Sequence, residues 1–281
     1  MLSYRHAFHA GNHADILKHY TFSLVLDYFN QKDKPYCVVD THSGAGMYSL
    51  NSDFSTKNME FETGISRILL AQSLPNSLAE FAEMIQSFNS NDTAKLYPGS
   101  PKIAEHFIRP NDQLRLFELH PSDYKILIQN FTGTKGKQTK IECQDGFAGL
   151  KACLPPTSKR GVVIIDPPYE EKKDYQRVVS AIQDSVKRFS TGTYIVWYPL
   201  LARPEPEQMV ASLRLQTNNW LNVTLSVCSM PKEGFGMYGS GLFIINPPWT
   251  LPSTLKESLP YLTELLGQEE NSSYQLECEI S

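Results

Sequence analysis

The stretch YCVVDTHSGAG, residues 36–46, joins a short apolar run to an acidic residue and a glycine-rich turn. Such a strand and turn let the backbone of a doubly wound sheet approach a nucleotide. Four later runs have the same buried character, namely QLRLFEL (113–119), KIECQD (140–145), VVIID (162–166) and TYIVWY (193–198). Helical patterns lie between these runs, which predicts βαβ units and a parallel sheet covered on both faces. LNVTLSVC (221–228) and GLFIIN (241–246) predict a closing antiparallel pair.

The spacing of the strands predicts an insertion. A ribose-binding acid is expected roughly 20 residues after the glycine turn, but the candidate, Glu118, comes far later in the chain. The intervening segment has helical apolar faces, so we expect a small inserted helical subdomain at 51–95. The remaining chain, 1–50 and 96–281, is then the core. It includes an N-terminal flap at 1–12 and an acidic tail at 264–281.

Composition sets the broad class. The 281 residues are 41% hydrophobic, enough for one large α/β domain.

The N-terminus lacks a secretory pattern and no apolar run approaches the roughly 20 residues of a membrane span, so the cytoplasm is the expected location. Five scattered cysteines predict neither a disulfide framework nor a zinc site. Nothing indicates an obligate oligomer, and a monomer is the default expectation.

The segment DPPY, residues 166–169, follows the fourth predicted strand and is suited to chemistry on an adenine amine. The lone pair of that amine is conjugated with the ring, so its N–H bonds must be drawn out of conjugation before it can attack a methyl donor. Asp166 and a proline carbonyl, at Pro167 in a rigid turn, can accept both hydrogens. Asp166 can then take the surplus proton, and Tyr169 is expected to offer a flat face to the extracted base.

Polar residues follow the other parallel strands in a consistent order. Glu118 can accept from two ribose hydroxyls, although it could instead cap the helix that starts near Ser122. Asp145 and Gly146 follow the third strand, where an adenine edge would lie. This order favours a site at DPPY over a loop that merely ends a strand. The second such segment, NPPW at 246–249, is interpreted as mainly structural, with Trp249 as a possible flank of the same pocket.

These motifs resemble a known family. The segments YRHAFHAGNHADILKH, DTHSGAG, YPGSP, FELHP, DGF and IIDPPYE are similar to the bacterial large-subunit (23S) ribosomal RNA adenine-N6 methyltransferases. The likeness runs from residue 1 to about residue 250 and leaves out the acidic tail. It implies a Rossmann-like class I core that uses S-adenosyl-L-methionine, with a helical insertion after the first strand. The expected substrate is 23S rRNA in a protein-free or early-assembly form.

The resemblance also implies residue roles. Asp166 is the expected proton acceptor, and Tyr4 and His6, in a flap over the site, are expected near the substrate. The family turn carries His42 where the wider superfamily usually has glycine. The expected cofactor-binding residues are Lys18, His19, His42, Gly44, Ser100, Glu118, Asp145, Gly146 and Asp166.

The histidines, the loop lysines and the reaction class allow other interpretations. His9 and His13 have metal-ligand spacing, but the pattern lacks the glutamate of a zincin, so no metal is expected. Arg5, His6 and Lys18 could instead meet phosphate or a cofactor carboxylate. Three loop lysines either contact an RNA backbone or form a solvated surface: Lys172, Lys173 and Lys232. The same local chemistry would serve DNA adenine or protein glutamine methylation, and a non-catalytic cofactor-binding module is the remaining alternative.

Overall fold

The computed structural model describes residues 6–89, 95–132, 138–231 and 236–280. Tyr4, Arg5 and Lys232, which the sequence analysis singled out, lie outside these ranges. An eight-stranded sheet, in the order β10-β8-β9-β7-β6-β1-β4-β5, forms the centre of the molecule. Its strands are β1 (Cys37–Asp40), β4 (Gln113–Phe117), β5 (Thr139–Glu142), β6 (Gly161–Ile165), β7 (Thr193–Leu201), β8 (Trp220–Ser226), β9 (Met237–Ile245) and β10 (Ser273–Glu279).

The strands β5, β4, β1, β6 and β7 are parallel, as their apolar runs predicted. Because parallel strands end at the same edge, the residues after β1, β4, β5, β6 and β7 come together there; we call this the carboxyl edge. β9 pairs antiparallel with both β7 and β8, which confirms the closing antiparallel pair.

Helices cover both faces of the sheet and give two apolar cores. One core, between the sheet and the helices on one face, contains Leu17, Val38 and Ile164. The core on the other face contains Val39, Ile165 and Ile182. The helices are α1 (His13–Asn30), α2 (Asp53–Asn58), α3 (Ile65–Leu70), α4 (Asn76–Gln86), α5 (Ser100–Phe107), α6 (Pro121–Asn130), α7 (Gly146–Cys153), α8 (Lys172–Arg188), α9 (Glu205–Arg214) and α10 (Leu251–Leu266). Within the described ranges every helix is too short or too polar to cross a membrane.

The first helix begins where the sequence predicted. The side chain of Asn12 accepts from the amides of Ala14 and Asp15 and so caps α1. Pro35 follows the end of the helix and leads the chain into β1. Most of α1 is buried, because α4, α5, α10 and the sheet contact it. This burial brings polar residues of the first helical turns beside the carboxyl edge.

The segment between β1 and α5 is helical, as predicted. It contains α2, α3 and α4, and two short antiparallel strands, β2 (Met47–Ser49) and β3 (Leu96–Pro98), frame it. Ile65, Leu78 and Phe81 belong to the same apolar core as α1. The helices therefore share their core with the sheet domain, and the division of the chain at 51–95 stays a prediction.

The second proline pair, NPPW, lies at the opposite edge of the sheet from the first. β9 is antiparallel to β7, and Ile245 pairs with Tyr194 near the start of β7. Asn246 is structural, as interpreted, because its side-chain amide donates to the backbone oxygens of Ser190 and Gly192. Trp249 is 73% exposed at this far edge. The suggestion that Trp249 flanks the pocket is therefore wrong.

Candidate active site

A cavity of about 290 Å³ opens at the carboxyl edge. Its walls come from α1, from the turns after β1, β4, β5 and β6, and from the last part of β7. Most of the predicted site residues line it, namely His6, Lys18, His19, His42, Gly44, Ser100, Glu118, Asp145, Gly146, Asp166 and Pro167. The parallel topology thus gathers side chains that are far apart in the sequence.

The glycine turn and the acid after β4 are directly bonded. The amide of Gly44 donates to Oε2 of Glu118 at 2.7 Å, and the amide of His120 donates to Oε1 at 2.6 Å. Burial raises the pKa of Glu118 above its ordinary value, although these two amides oppose the effect. Each carboxylate oxygen has lone pairs left for a further donor. The alternative role of Glu118 as a helix cap is wrong, because the side chain of His120 caps α6.

The close approach of two turns requires glycine at position 146. A Cβ on Gly146 would lie 1.9 Å from the backbone oxygen of Thr41, so any side chain here would separate the turns after β1 and β5. Asp145 caps α7 through the amides of Phe147 and Ala148 and is also ion-paired with Arg177. Burial opposes it, but Arg177 holds the pKa of Asp145 below its ordinary value. Asp145 is therefore an ionised acceptor on the cavity wall.

Ser100, at the start of α5, is oriented by the acid that ends β1. Its hydroxyl donates to Oδ2 of Asp40 at 2.7 Å, which leaves the lone pairs of Ser100 available to a donor. Burial raises the pKa of Asp40 to about 7. Burial also lowers the pKa of His42 to about 4, so this imidazole is neutral at pH 7. Thr41 Oγ1 lies 2.8 Å from Nδ1 of His42.

Asp166 follows β6 in the predicted rigid turn and faces the cavity with 20% of its side-chain surface accessible. The Lys18 ammonium lies 2.5 Å from Oδ2 of Asp166 and 3.0 Å from Oδ1 of Asp15. Burial alone would lower the pKa of Lys18, but the two carboxylates raise it above its ordinary value. Lys18 therefore pairs with protein carboxylates, rather than standing free for phosphate or a cofactor carboxylate as the sequence analysis considered.

The structure corrects the expected role of Tyr169. This side chain is only 4% exposed, and its ring packs against Tyr175 with centroids 4.5 Å apart. Its hydroxyl donates to the backbone oxygen of Trp197 at 2.6 Å. The ring of Tyr169 consequently offers no free face. Two other aromatic residues line the cavity: Tyr48, which is buried, and Trp197, which is half-buried beside Asp166 on the neighbouring strand.

Histidines of the N-terminal segment make specific contacts. His6, on a 3-10 turn at His6–Phe8, places Nε2 at 2.9 Å from Oδ2 of Asp15. His9 bonds to Glu60 in the inserted segment at 2.9 Å. His19 is buried, with Nδ1 at 2.8 Å from the hydroxyl of Tyr97. Within the described part of the chain, no group of three metal-ligating side chains is arranged to hold an ion.

Two of the loop lysines are paired. Lys172 lies 2.5 Å from a carboxylate oxygen of Glu205, and Lys173 is paired with Glu171. Both ammonium groups are largely exposed, with side-chain accessibilities of 79% and 63%. The pair with Glu205 favours the interpretation of Lys172 as part of a solvated surface. Lys173 also lines the cavity, so its contact with an RNA backbone stays a prediction.

Sequence reasoning missed several residues that shape the site: Asp15, Asp40, Arg177 and Trp197. A signal existed for Trp197, because it lies near the end of a parallel strand that neighbours the DPPY strand. Asp40 carried the same kind of signal at the end of β1. Asp15 and Arg177 look in sequence like ordinary charged residues near a helix terminus, so the sequence offers no comparable signal for them.

The site and the topology together define a class of protein. Acceptors for a nucleoside at the ends of β1, β4 and β5, followed by Asp-Pro-Pro at the end of β6, are the arrangement of class I methyltransferases. The residues present fit S-adenosyl-L-methionine: Glu118 suits a ribose diol, Asp145 suits the amine of adenine, and the Ser100 lone pairs suit an ammonium group.

Comparisons with known proteins define the family. The family model described as "Ribosomal RNA large subunit methyltransferase D, RlmJ" matches residues 33–279, and the chain belongs to this family. "Ribosomal RNA large subunit methyltransferase J" of Haemophilus influenzae is 44% identical, covering 99% of this chain and 98% of that protein. The Escherichia coli protein of the same name is 45% identical over 93% of each. A Legionella pneumophila crystal structure matches with TM-score 0.89 and 38% identity, covering 96% of this chain and 98% of that one.

The family assignment settles two expectations and corrects a third. The fold is the Rossmann-like class I methyltransferase fold, and the cofactor is S-adenosyl-L-methionine. The likeness does not stop near residue 250, because the family match extends to residue 279. The acidic tail is accordingly part of the fold: it contains the end of α10 and the edge strand β10, which pairs with β8. Its charges suit an exposed edge, where they discourage pairing with another chain.

Proposed function

We propose that this enzyme transfers a methyl group to N6 of a specific adenosine in 23S ribosomal RNA. The observation that carries the proposal is the position of Asp166: a carboxylate in a proline-fixed turn, open to the cavity that contains the cofactor-binding groups. The relatives named as ribosomal RNA large subunit methyltransferases support the RNA as substrate. The adenine amine and its N6 position are inferred from the chemistry of the turn.

In this proposal the turn activates the amine. Asp166 and the carbonyl of Pro167 accept the two N–H hydrogens and so turn the nitrogen lone pair toward the cavity. Two consecutive prolines fix the backbone, which keeps both acceptors in place. Asp166 then takes the proton that the nitrogen loses. The Lys18 ammonium lies 2.5 Å from Oδ2 of Asp166 and so helps to hold the carboxylate in place beside the cavity.

The cofactor, when bound, supplies an electrophilic methyl group. Glu118 would hold its ribose, Asp145 and the amide of Gly146 its adenine edge, and Ser100 its ammonium group. His42 and Gly44 form the wall between these groups. His19 is 1% exposed and contributes mainly by fixing α1 against Tyr97. Positioning amine and methyl donor in one cavity provides much of the remaining rate enhancement.

We assign the substrate side of the cavity to His6 and Trp197, which both line it. We assign the flat face for the extracted adenine to Trp197, because a half-buried indole beside Asp166 can stack on a base. Tyr4, which lies outside the described residues, stays a proposed substrate-binding residue by family resemblance alone. An extracted base is reached most readily in a short, accessible RNA element, so protein-free or early-assembly 23S rRNA is the proposed partner, met in the cytoplasm by a monomer.

Methyl transfer to four acceptors tests the proposal. The enzyme is incubated with radiolabelled S-adenosyl-L-methionine and protein-free 23S rRNA, assembled large subunits, duplex DNA or bulk protein. We expect label only in the free rRNA, recovered after digestion as N6-methyladenosine. Label in DNA or protein would instead support the other amine methyltransferase classes and contradict the rRNA assignment.

Asp166→Ala separates catalysis from cofactor binding. We expect the rate of methyl transfer to fall by about 10²- to 10⁴-fold, as for loss of a general base, while cofactor binding measured by calorimetry persists. Asp184→Ala is the matched control, because Asp184 is an exposed acid that pairs with Arg188 on α8. Full methyl transfer by Asp166→Ala would show that the proton acceptor is wrongly assigned.

A further inference from the structure

Asp15 is a buried carboxylate that does not line the cavity but lies within ion-pair distance of three residues that do, namely His6, Lys18 and His19. It lies in the first turn of α1 and is 1% exposed. Oδ2 lies 2.9 Å from Nε2 of His6 and accepts from the amide of Gly11 at 2.9 Å. Oδ1 lies 3.0 Å from the ammonium of Lys18. Burying a carboxylate this completely is costly unless several donors compensate it, and these donors do so.

The partners show that Asp15 is ionised. Burial alone would raise its pKa, but His6 and Lys18 hold the pKa of Asp15 well below its ordinary value. An ionised carboxylate can only accept hydrogen bonds, so Nε2 of His6 must carry a proton in this contact. The side chain therefore contributes a full negative charge to the interior beside Lys18.

The charges behind the cavity alternate. The Lys18 ammonium lies between Asp15 and Asp166, 3.0 Å from one carboxylate and 2.5 Å from the other, and is itself only 4% exposed. With Asp166 as its sole partner, the ammonium would stabilise that carboxylate strongly and make it a poor proton acceptor. Asp15 divides the field of the ammonium between two carboxylates, which moderates its effect on Asp166.

We propose that Asp15 is a positioning residue that shares the Lys18 ammonium with Asp166 and so keeps Asp166 basic enough to accept the proton of the adenosine amine. The inference rests on the proposed function. Other titratable groups face Asp166 as well: Asp40 and His42 from the turn after β1, and Tyr169 from its own turn. None of these touches the Lys18 ammonium at ion-pair distance in the described structure, whereas Asp15 does.

The test is the pH dependence of kcat for Asp15→Asn, measured as methyl transfer to protein-free 23S rRNA at saturating cofactor. Asparagine keeps the shape and an acceptor oxygen but removes the charge. We expect the acidic limb of the profile to move down by about one pH unit, because Asp166 becomes the only anion beside Lys18. We expect kcat at pH 7.5 to fall by up to about 10-fold, because a proton acceptor that is about one unit less basic accepts the proton less readily. The KM for the cofactor should stay within about three-fold. Asp184→Asn, on the exposed face of α8, should change neither quantity.

A second variant keeps the test decisive if Asp15→Asn folds poorly, as judged by calorimetric cofactor binding. In the double variant Asp15→Asn with Lys18→Met no buried charge is left unpaired, and Asp166 loses the adjacent cation. The acidic limb should then move up, opposite to the single variant. If the acidic limb of the kcat profile stays at the wild-type pH in either folded variant, even with a lower kcat, Asp15 only stabilises the fold. Wild-type enzyme that fails to methylate rRNA would instead overturn the proposed function.

Discussion

The hydroxyl of Tyr169 donates a 2.6 Å hydrogen bond to the backbone oxygen of Trp197, so the last residue of the DPPY turn is tied to the strand that carries this cavity-lining indole. The bond joins the turn after β6 to the neighbouring parallel strand β7. It gives Tyr169 a structural part in the site: the phenol holds the turn after β6 against β7, and the half-buried indole occupies the cavity wall.

Tyr169→Phe should distinguish the contribution of the ring from that of the hydroxyl. The substitution leaves a buried aromatic side chain but removes one hydrogen bond, so we expect a loss of about 0.5–1.5 kcal/mol in the free energy of unfolding. Methyl transfer should stay within about five-fold of wild type. Chemical denaturation and labelled methyl transfer measure the two quantities. A loss of activity above 100-fold with unchanged stability would instead indicate a direct catalytic role for the hydroxyl.

Substitution of Trp197 should weaken RNA binding, whereas substitution of Trp249 should not. Trp197→Ala removes the ring on the cavity wall, and we expect KM for the RNA to rise about 5- to 150-fold, the value of a base–aromatic stack. Trp249→Ala removes an exposed ring from the opposite edge of the sheet and should leave KM and kcat within two-fold. Steady-state kinetics on free rRNA compares them. Equal effects would refute the assignment of the base-binding face to Trp197.

Glu118→Gln should weaken cofactor binding. The carboxylate is held by the amides of Gly44 and His120, and its remaining lone pairs are assigned to the ribose. A hydrogen bond to a charged group contributes about 1.5–3 kcal/mol, so we expect the Kd of S-adenosyl-L-methionine to rise about 10- to 150-fold. Calorimetry measures it, with Asp184→Asn, which lies outside the cavity on α8, as the control. Unchanged affinity would place the ribose elsewhere.

Asp40 should make stability fall as pH rises. Burial raises the pKa of Asp40 from its usual 3.8 to about 7, so between these values the folded protein binds more protons than the unfolded chain. The stabilisation is complete below about pH 4 and is lost as pH passes through about 7. Asp40→Asn carries no such charge. The free energy of unfolding of this variant relative to wild type should therefore increase between pH 5 and pH 8, by on the order of a few kcal/mol. A difference independent of pH would contradict the burial of an acid that titrates near neutrality.

Sequence alone predicts much of this fold because the parallel strands are apolar runs and their topology is regular. Once YCVVD, QLRLFEL and VVIID are recognised as strands, their polar ends must meet at one edge, which places Glu118 and Asp166 in one cavity before any coordinates exist. The antiparallel pair was also predictable. Because β9 runs antiparallel to β7, the end of β9 lies at the edge of the sheet opposite the carboxyl edge, and Trp249 lies there with it. The similarity between the DPPY and NPPW sequences does not indicate this difference in position.

Other features could not be predicted for physical reasons. Strand periodicity does not report the backbone beyond a strand end, and Tyr169 adopts φ 50°, a left-handed conformation that no pattern around it signals. An aspartate in the first turn of a helix is favoured by the helix dipole wherever it occurs, so Asp15 looks ordinary. Its burial depends on Lys18, and the contact of Lys18 with Asp166 spans 148 residues.

The helices α1 and α10 meet, and this constrains when the packing of α1 can be completed. The hydroxyl of Tyr20 on α1 lies 2.5 Å from Oγ of Ser258 on α10, across 238 residues of sequence. α1 carries Asp15 and Lys18, so the helix that supplies the partner of Asp166 is fully packed only after α10 has been synthesised. Synthesis proceeds from the N-terminus, and contacts of long sequence separation form slowly. A nascent or truncated chain that lacks α10 therefore leaves the face of α1 around Tyr20 exposed, although α4, α5 and the sheet contact other faces of this helix.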